Sequence, residues 1–186
     1  MRTVIAKIFD YSLDGVLAAE ETPFFDFCRE LPDDPALIDH TRALYARADL
    51  HVMGRVAYLG GAGYFPAATD HPYADLMNAA RKVVFSSTLT SADWANSTIA
   101  NGDLATELDA LKRDGDGPIV AHGGIGFWKS LIERDLIDEY RITVFPYLAG
   151  AGTRLFGAIT GPSRLELGSA IPFKNGVVEL TYRRVL

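Results

Sequence analysis

The chain has 186 residues, 48% of them hydrophobic and 23% charged, with a formal net charge of −6. That balance supports a packed core, excludes a disordered chain, and argues against general nucleic-acid binding, which needs a basic surface. The single cysteine, Cys28, allows neither an intrachain disulfide nor a zinc spacing, so no metal site is expected. No run approaches the ~18 apolar residues of a membrane span. The N-terminal "MRTVIAKIFDYSLDG" lacks a signal-peptide pattern. The expectation is a soluble, cytoplasmic protein that does not engage membranes, organised as one domain over 1–186.

In chain order, "TVIAKIF" (3–9) is β-branched and apolar and reads as a buried strand, broken by "DYSLDG". Residues 20–36 carry three prolines and many acids, and read as an irregular loop with a short helical piece. Leu37, Thr41, Leu44, Tyr45 and Ala48 fall at helical intervals. "ADLHVM" (48–53) is a second strand. "GRVAYLGGAGYF" (54–65) starts as a short helix and is expected to dissolve in its glycines. His71 to Ala80 reads as a helix behind Pro72, since proline suits a first turn.

"KVVFSS" (82–87) and "NSTIA" (96–100) are further strands. Asp103 is placed to cap a helix that carries Leu104, Leu108 and Leu111. "PIVAH" (118–122) is a strand that runs into "GGIG" and then a helix with the pairs Phe127/Leu131 and Trp128/Ile132. "IDEYRITVFPYL" (137–148) is a strand. "LELGSAIPF" (165–173) and "VVELTYRRV" (177–185) flank "KNG", a hairpin signal. Strand–helix alternation followed by strands alone predicts an α/β fold, with a mostly parallel central sheet and a C-terminal antiparallel hairpin.

Three of these strands end in a similar way: "MGR" (53–55), "SST" (86–88) and "HGGIG" (122–126). Ligands of open parallel sheets bind beyond the carboxyl ends of the strands. These ends supply a cation, hydroxyls and bare backbone amides, which is what a nucleotide phosphate requires. Singly, each motif is an ordinary turn, cap or solvated residue; the weight lies in their sharing one sheet edge. "GGIG" lacks the G-x-G-x-x-G spacing of a Rossmann site.

In this order and spacing, "MGRVAY", "KVVFSSTL" and "HGGIGFW" resemble the dihydrofolate reductase-like family. "SLDG" (12–15), "LIDEYRITVFPYLAGAGTRLF" (136–156) and the final hairpin strengthen the likeness to the reductase domain of the riboflavin-biosynthesis bifunctional deaminase-reductase. The resemblance covers nearly the whole chain and is weakest over 16–48. It implies a three-layer fold and an NADPH-binding reductase acting on a small heterocyclic or carbonyl-type substrate. Gly54 and Arg55 match the family's G-R-x-T element at the adenosine-side phosphates. Ser86, Ser87 and Thr88 match the element that holds the 2'-phosphate. Gly123 and Gly124 match the paired glycines at the pyrophosphate and nicotinamide, with Ile125, Gly126 and Phe127 opening the helix. Ser12, Asp14 and Gly15 match the loop over the active site. Gly150, Gly152, Thr153 and Arg154 match a glycine-rich turn near the substrate or a dimer contact.

Two positions depart from that pattern. Ala57 replaces the threonine of G-R-x-T, and His122 stands where an aliphatic residue is usual, either as a core histidine or as a donor to cofactor or substrate. Dihydrofolate reductase proper keeps a carboxylate on the helix before its second strand. The matching position here is Ile38, with Asp39 one residue, or about 100° of helix, away from it. The candidate acids are therefore Asp14, Asp39 and His122. Phe24, Phe25 and Phe27 read either as loop packing or as an aromatic wall.

The expected activity is NADPH-dependent hydride transfer to a small pterin- or pyrimidine-like heterocycle or a carbonyl compound, as in dihydrofolate or 5-amino-6-(5-phosphoribosylamino)uracil reduction. The alternatives are a nucleotide-binding module of this fold without turnover, and a structural or interaction protein that binds no nucleotide. A homodimer is expected from the resemblance and from "YRITVFPYL", read as a long apolar strand with a free edge.

Overall fold

The computed structural model describes residues 1–159 and 161–185. Its strands are β1 (Val4–Ser12), β2 (Val16–Leu17), β3 (Leu50–Gly54), β4 (Arg81–Phe85), β5 (Ser97–Ala100), β6 (Ile119–Ala121), β7 (Glu139–Phe145), β8 (Thr153–Arg154), β9 (Leu165–Pro172) and β10 (Val178–Arg184). Its helices are α1 (Pro23–Glu30), α2 (Pro35–Arg47), α3 (Arg55–Tyr64), α4 (Ala74–Ala79), α5 (Leu104–Arg113) and α6 (Ile125–Glu133). The sheet order is β5-β4-β3-β6-β1-β7-β10-β9, with β2 and β8 joined to the side of β1. Every neighbour pair from β5 to β7 is parallel, and β10 and β9 close that edge antiparallel. This is the expected three-layer fold.

The layers follow from strand alternation. Val4, Ala6 and Ile8 of β1 point to one face with Leu50, Val52, Ile119 and Ala121, where α5 and α6 bury Leu108, Phe127, Trp128 and Leu131. Ile5, Met53, Val84 and Val120 point to the other, beneath Leu44 and Tyr45 of α2, Tyr58 of α3 and Met77 of α4. A strand buried on both faces has little polar alternation, which is why these segments are legible as near-continuous apolar runs.

Several expectations need correction. The glycine-rich stretch does not dissolve: α3 runs through Gly60, Gly61 and Gly63 to Tyr64. Gly61 is required by packing, because a Cβ there would stand 2.7 Å from the Trp94 ring. The helix expected over 71–80 is the shorter α4. The strand "YRITVFPYL" has no free edge, since β7 lies between β1 and β10. The edge strand on that side is β9, which exposes Leu165 and Leu167. The final hairpin turns through Phe173–Gly176, with Gly176 at φ 88°.

One buried polar cluster ties the central strands to the antiparallel edge. Lys7 of β1 is fully buried, donates to Thr143 Oγ1 of β7 at 2.8 Å and pairs with Glu179 of β10. The second Glu179 oxygen meets His40 Nε2 of α2 at 2.7 Å. Burial opposes the charged form of Glu179, but Lys7 and His40 outweigh it and hold the carboxyl below its ordinary range. Burial lowers Lys7.

Removing one partner from such a pair strands the other charge. Glu179→Gln is expected to cost about 3–5 kcal/mol in urea unfolding. Because the folded pKa of Glu179 is depressed, its stabilisation is present above the ordinary glutamate range and lost as pH falls through the folded value. The acid limb of the wild-type stability–pH curve is therefore expected to flatten in the variant.

Candidate active site

The site is built by strand register. Val52 of β3 and Ala6 of β1 both stand opposite Ala121 of β6, and Gly54 stands opposite Phe85 of β4. The carboxyl ends of β3 and β4 therefore come out level, two residues beyond the end of β6, while β1 runs on past them. Gly54 begins α3 and Gly124 begins α6, and neither helix has a side-chain cap. Their first N–H groups lack intrahelical partners, and the helix dipoles make both ends attractive to anions.

Glycine is required where these ends meet. A Cβ on Gly54 would lie 2.8 Å from Cβ of Phe127. Gly124 has φ 31°, and its turn comes to the start of α3 with Val56 and Ala57 within 4 Å of a notional Cβ. A Cβ on Gly123 would stand 3.0 Å from the Trp128 ring. The two N-termini thus lie side by side because no side chain separates them.

Between them opens a cleft of about 320 Å³ lined by Gly54, Arg55, Ser86, Ser87, Gly126 and Phe127 of the expected set. Arg55 is exposed and forms no ion pair among the described residues. Ser86 Oγ accepts from the amides of Thr88 and Leu89, at 3.2 and 3.0 Å, and so fixes the turn after β4. Thr88, Gly123, Gly124 and Ile125 do not line this cleft; Ile125 packs on the core and the two glycines shape the turn. Asn101, Gly102 and Ser130 do line it. The first two follow β5, and the "NG" after "NSTIA" was the available signal. Among the described residues no carboxylate lines the cleft.

A second cavity, of about 390 Å³, opens beyond β1 and β6, lined by Phe9, Asp10, Tyr45, Ala57, Tyr73 and His122 among others. It shares Phe9, Asp10, His71 and Tyr73 with a wider recess of about 600 Å³ that reaches Arg29, Asp33 and Asp70. Asp10 stands where the two join. The pairing of β1 with β7 shifts register between Ile8 and Tyr11, and Asp10 takes φ 53° in that irregularity. Such a bulge re-aims a side chain. Burial raises the Asp10 carboxyl above its ordinary range, against the opposing pull of Arg29 and Lys7. Sequence reading missed Asp10, because it looked like the polar break after a strand.

His122 is in the cavity wall rather than in a backbone-bonded core position. Its Nε2 lies 2.7 Å from Nδ1 of His51, with the two rings inclined by only 20°. Tyr45 contacts both rings at about 65° to their planes. Burial, aided by the Lys7 charge, lowers His122 to about 4. Burial likewise lowers His51, helped by His122 and Lys82. His122 is neutral at pH 7 and offers hydrogen bonding, not an imidazolium.

The other two acid candidates do not reach this cavity. Asp14 accepts from Ser12 Oγ at 2.6 Å and from the amides of Ala149 and Gly150 at 2.9 and 2.8 Å. Those bonds hold its carboxyl at about 2, so it stays ionised and has no proton to give. Asp39 is exposed on α2, while its neighbour His40 turns inward to Glu179. The helical offset of one residue accounts for this.

The expected substrate group Ser12, Asp14, Gly15, Gly152, Thr153 and Arg154 is brought together, but as a clasp. β2 pairs with β8, Arg154 donates to the Asp14 carbonyl, and Gly15 and Gly152 adopt φ 85° and 139°. None of the six lines either cavity. Phe24 and Phe27 pack on Tyr147, at 5.1 and 4.9 Å between ring centres. Phe25 alone of that trio lines the recess.

A mostly parallel sheet closed by an antiparallel pair, with α5 and α6 on one face and α2, α3 and α4 on the other, is the dihydrofolate reductase fold. The chain belongs to the RibD C-terminal domain family, whose model matches residues 2–178. It is 28% identical over 114 residues to the uncharacterized protein YyaP of Bacillus subtilis (strain 168), a stretch covering 61% of this chain and 60% of that one.

Among solved structures it is similar to a candidate riboflavin biosynthesis protein of Shewanella sp. PV-4, at 25% identity and TM-score 0.80 over 99% of both chains. It is also similar to the diaminohydroxyphosphoribosylaminopyrimidine deaminase/5-amino-6-(5-phosphoribosylamino)uracil reductase of Thermotoga maritima, at 13% identity and TM-score 0.69, covering 99% of this chain and 57% of that one. Dihydrofolate reductase of Enterococcus faecalis, complexed with NADP(H), matches at 16% identity and TM-score 0.62, over 98% and 96% of the two chains.

Gly54→Ala puts a methyl group against Phe127. It is expected to destabilise the fold by about 1–3 kcal/mol in urea unfolding, and to weaken nucleotide binding in calorimetry by moving the two helix ends apart.

Proposed function

We propose that the protein is an NADPH-dependent reductase acting on a small pyrimidine- or pterin-like heterocycle or a carbonyl compound. The observation that carries this reading is the contrast between two cavities, one on each side of the residues Met53–Ala57 where β3 passes into α3. One cleft has two uncapped helix N-termini, Arg55, Ser86 and Ser87, and no carboxylate among the described residues. Its neighbour has Phe9, Tyr73, His122 and Asp10. The residues fit the cofactor. Helix N-termini and Arg55 suit the pyrophosphate, the hydroxyls of Ser86 and Ser87 suit a 2'-phosphate, and Gly126, with open space around it, permits close approach.

When bound, the nicotinamide supplies the hydride. The chain's part is to hold the acceptor in the aromatic cavity, to exclude water there, and to provide a proton. Asp10 takes the donor role expected of Asp14, since burial favours its protonated form. His122, held by His51, orients the acceptor through a neutral imidazole.

A thermal-shift comparison tests the cofactor. NADPH at ~100 times its Kd is expected to add about 2.7 kcal/mol of stability, and NADH markedly less. Arg55→Ala is expected to weaken NADPH binding about tenfold, close to 1.4 kcal/mol, without lowering the melting temperature of the free protein. No shift with either nucleotide overturns the reading. Ala57, in the cavity wall without the family's hydroxyl, favours the second reading of a nucleotide-binding module. That reading predicts the NADPH shift with no NADPH oxidation on any pterin, pyrimidine or carbonyl compound.

We place the expected homodimer on β9, where Leu165 and Leu167 are 38% and 55% exposed on an edge strand. Sedimentation should then give a dimer that Leu167→Lys dissociates.

A further inference from the structure

We infer that the cavity beside the cofactor cleft takes an unphosphorylated planar nitrogen heterocycle, and that Asp10 is the residue that selects it. The inference rests on the reductase reading for the identity of the site, but it concerns the substrate alone. The reductase of Thermotoga maritima that shares this fold is named for a phosphoribosyl substrate. A phosphate arm needs cations or free amides where it lands.

The recess through which such an arm would leave the cavity offers the opposite. Asp10, Asp33 and Asp70 line it, against one guanidinium, Arg29. That guanidinium lies over the Phe25 ring, 5.6 Å from its centre. His71, also in the wall, is shifted toward its neutral form by burial, assisted by Arg29. Lys7, the nearest buried cation, is paired with Glu179. Asp33 and Asp70 alone outnumber Arg29, so a phosphate dianion would meet more negative than positive charge whether Asp10 is protonated or ionised.

Asp10 gives the recess its chemistry. It sits at the junction of both spaces, in a bulge that turns it there. Its carboxyl has no hydrogen-bond partner among the described residues, although most of its surroundings are protein. A carboxyl so placed is paired by its ligand. It accepts from a ring or exocyclic N–H when ionised, and donates to a ring nitrogen or carbonyl when protonated. Phe9 and Tyr73, both in the shared wall, supply faces for a flat ring. Uncharged planar heterocycles satisfy all three features, and a phosphate ester of the same ring does not.

The test uses calorimetry at pH 8 on the full chain, with and without NADP⁺. The probes are 6-hydroxymethylpterin and its phosphate monoester, and 5-amino-6-(5-phosphoribosylamino)uracil and its dephosphorylated form. The unphosphorylated member of at least one pair should bind at least about tenfold more tightly, a difference of about 1.4 kcal/mol. Asp10→Asn is the chosen variant because asparagine tolerates the left-handed backbone at φ 53°. It should narrow that ratio to about threefold or less, and Asp70→Asn, on an exposed loop, should narrow it in part even if Asp10→Asn fails to fold. Equal or tighter binding of the phosphorylated members overturns the inference, as does binding of neither ring. An unchanged ratio in both variants overturns the part assigned to the carboxylates. Because the NADPH thermal shift is read separately, a lost substrate preference with a retained shift leaves the reductase reading standing, and a lost shift with a retained preference does the reverse.

Discussion

The alignment of Ala6, Val52 and Ala121 across three parallel strands is the constraint from which the site follows. A parallel sheet fixes where its strands end relative to one another: β3 and β4 end level, β6 stops two residues earlier, and β1 runs on against β7. The glycines then do their work locally. Gly54 lets α6 lie against the end of β3, and Gly124 lets its turn meet α3. Two helix dipoles converge on one cleft as a result, which neither helix could provide alone.

The second consequence of the same register is a division of charge. On the β4 side the strand ends carry hydroxyls, amides and Arg55, and on the β7 side they carry Asp10 and aromatic rings. The bulge that aims Asp10 arises where β1 outruns β6 and continues against β7 alone. Lys7 lies just before that point, fully buried and bonded to β7 and β10. The ion pair thus holds β1 against the antiparallel edge close to where the bulge begins. Rigid support of that kind is what lets a strained φ persist beside a cavity.

The clasp of β2 and β8 shows a different use of residues that attract attention by type. Ser12, Asp14 and Arg154 are the hydroxyl, acid and cation that a catalytic reading seeks. Each spends its polar atoms on a backbone amide, a carbonyl or another member of the clasp. Their role is to fasten the loop after β1 to the turn after β7. Asp10, by contrast, forms no such bond among the described residues and lines both cavities.

What the sequence by itself determined is what local chemistry dictates. The apolar runs of β1, β3, β4 and β6 and the Asp103 cap on α5 were legible, because burial and capping each restrict residue type. What the tertiary structure alone decided depends on partners distant in the chain. Gly61 of α3 is fixed as glycine because the Trp94 ring packs against it. β7 is interior because a crossover places it beside β1 and the hairpin returns to its other side. His51 looks like a strand residue until His122, 71 positions later, is bonded to it. Asp10 looks like a loop acid until its mismatch with β7 turns it into the cavity. Residue type is a local property, but a strand's neighbours, and the direction a bulge gives a side chain, exist only once the sheet has formed.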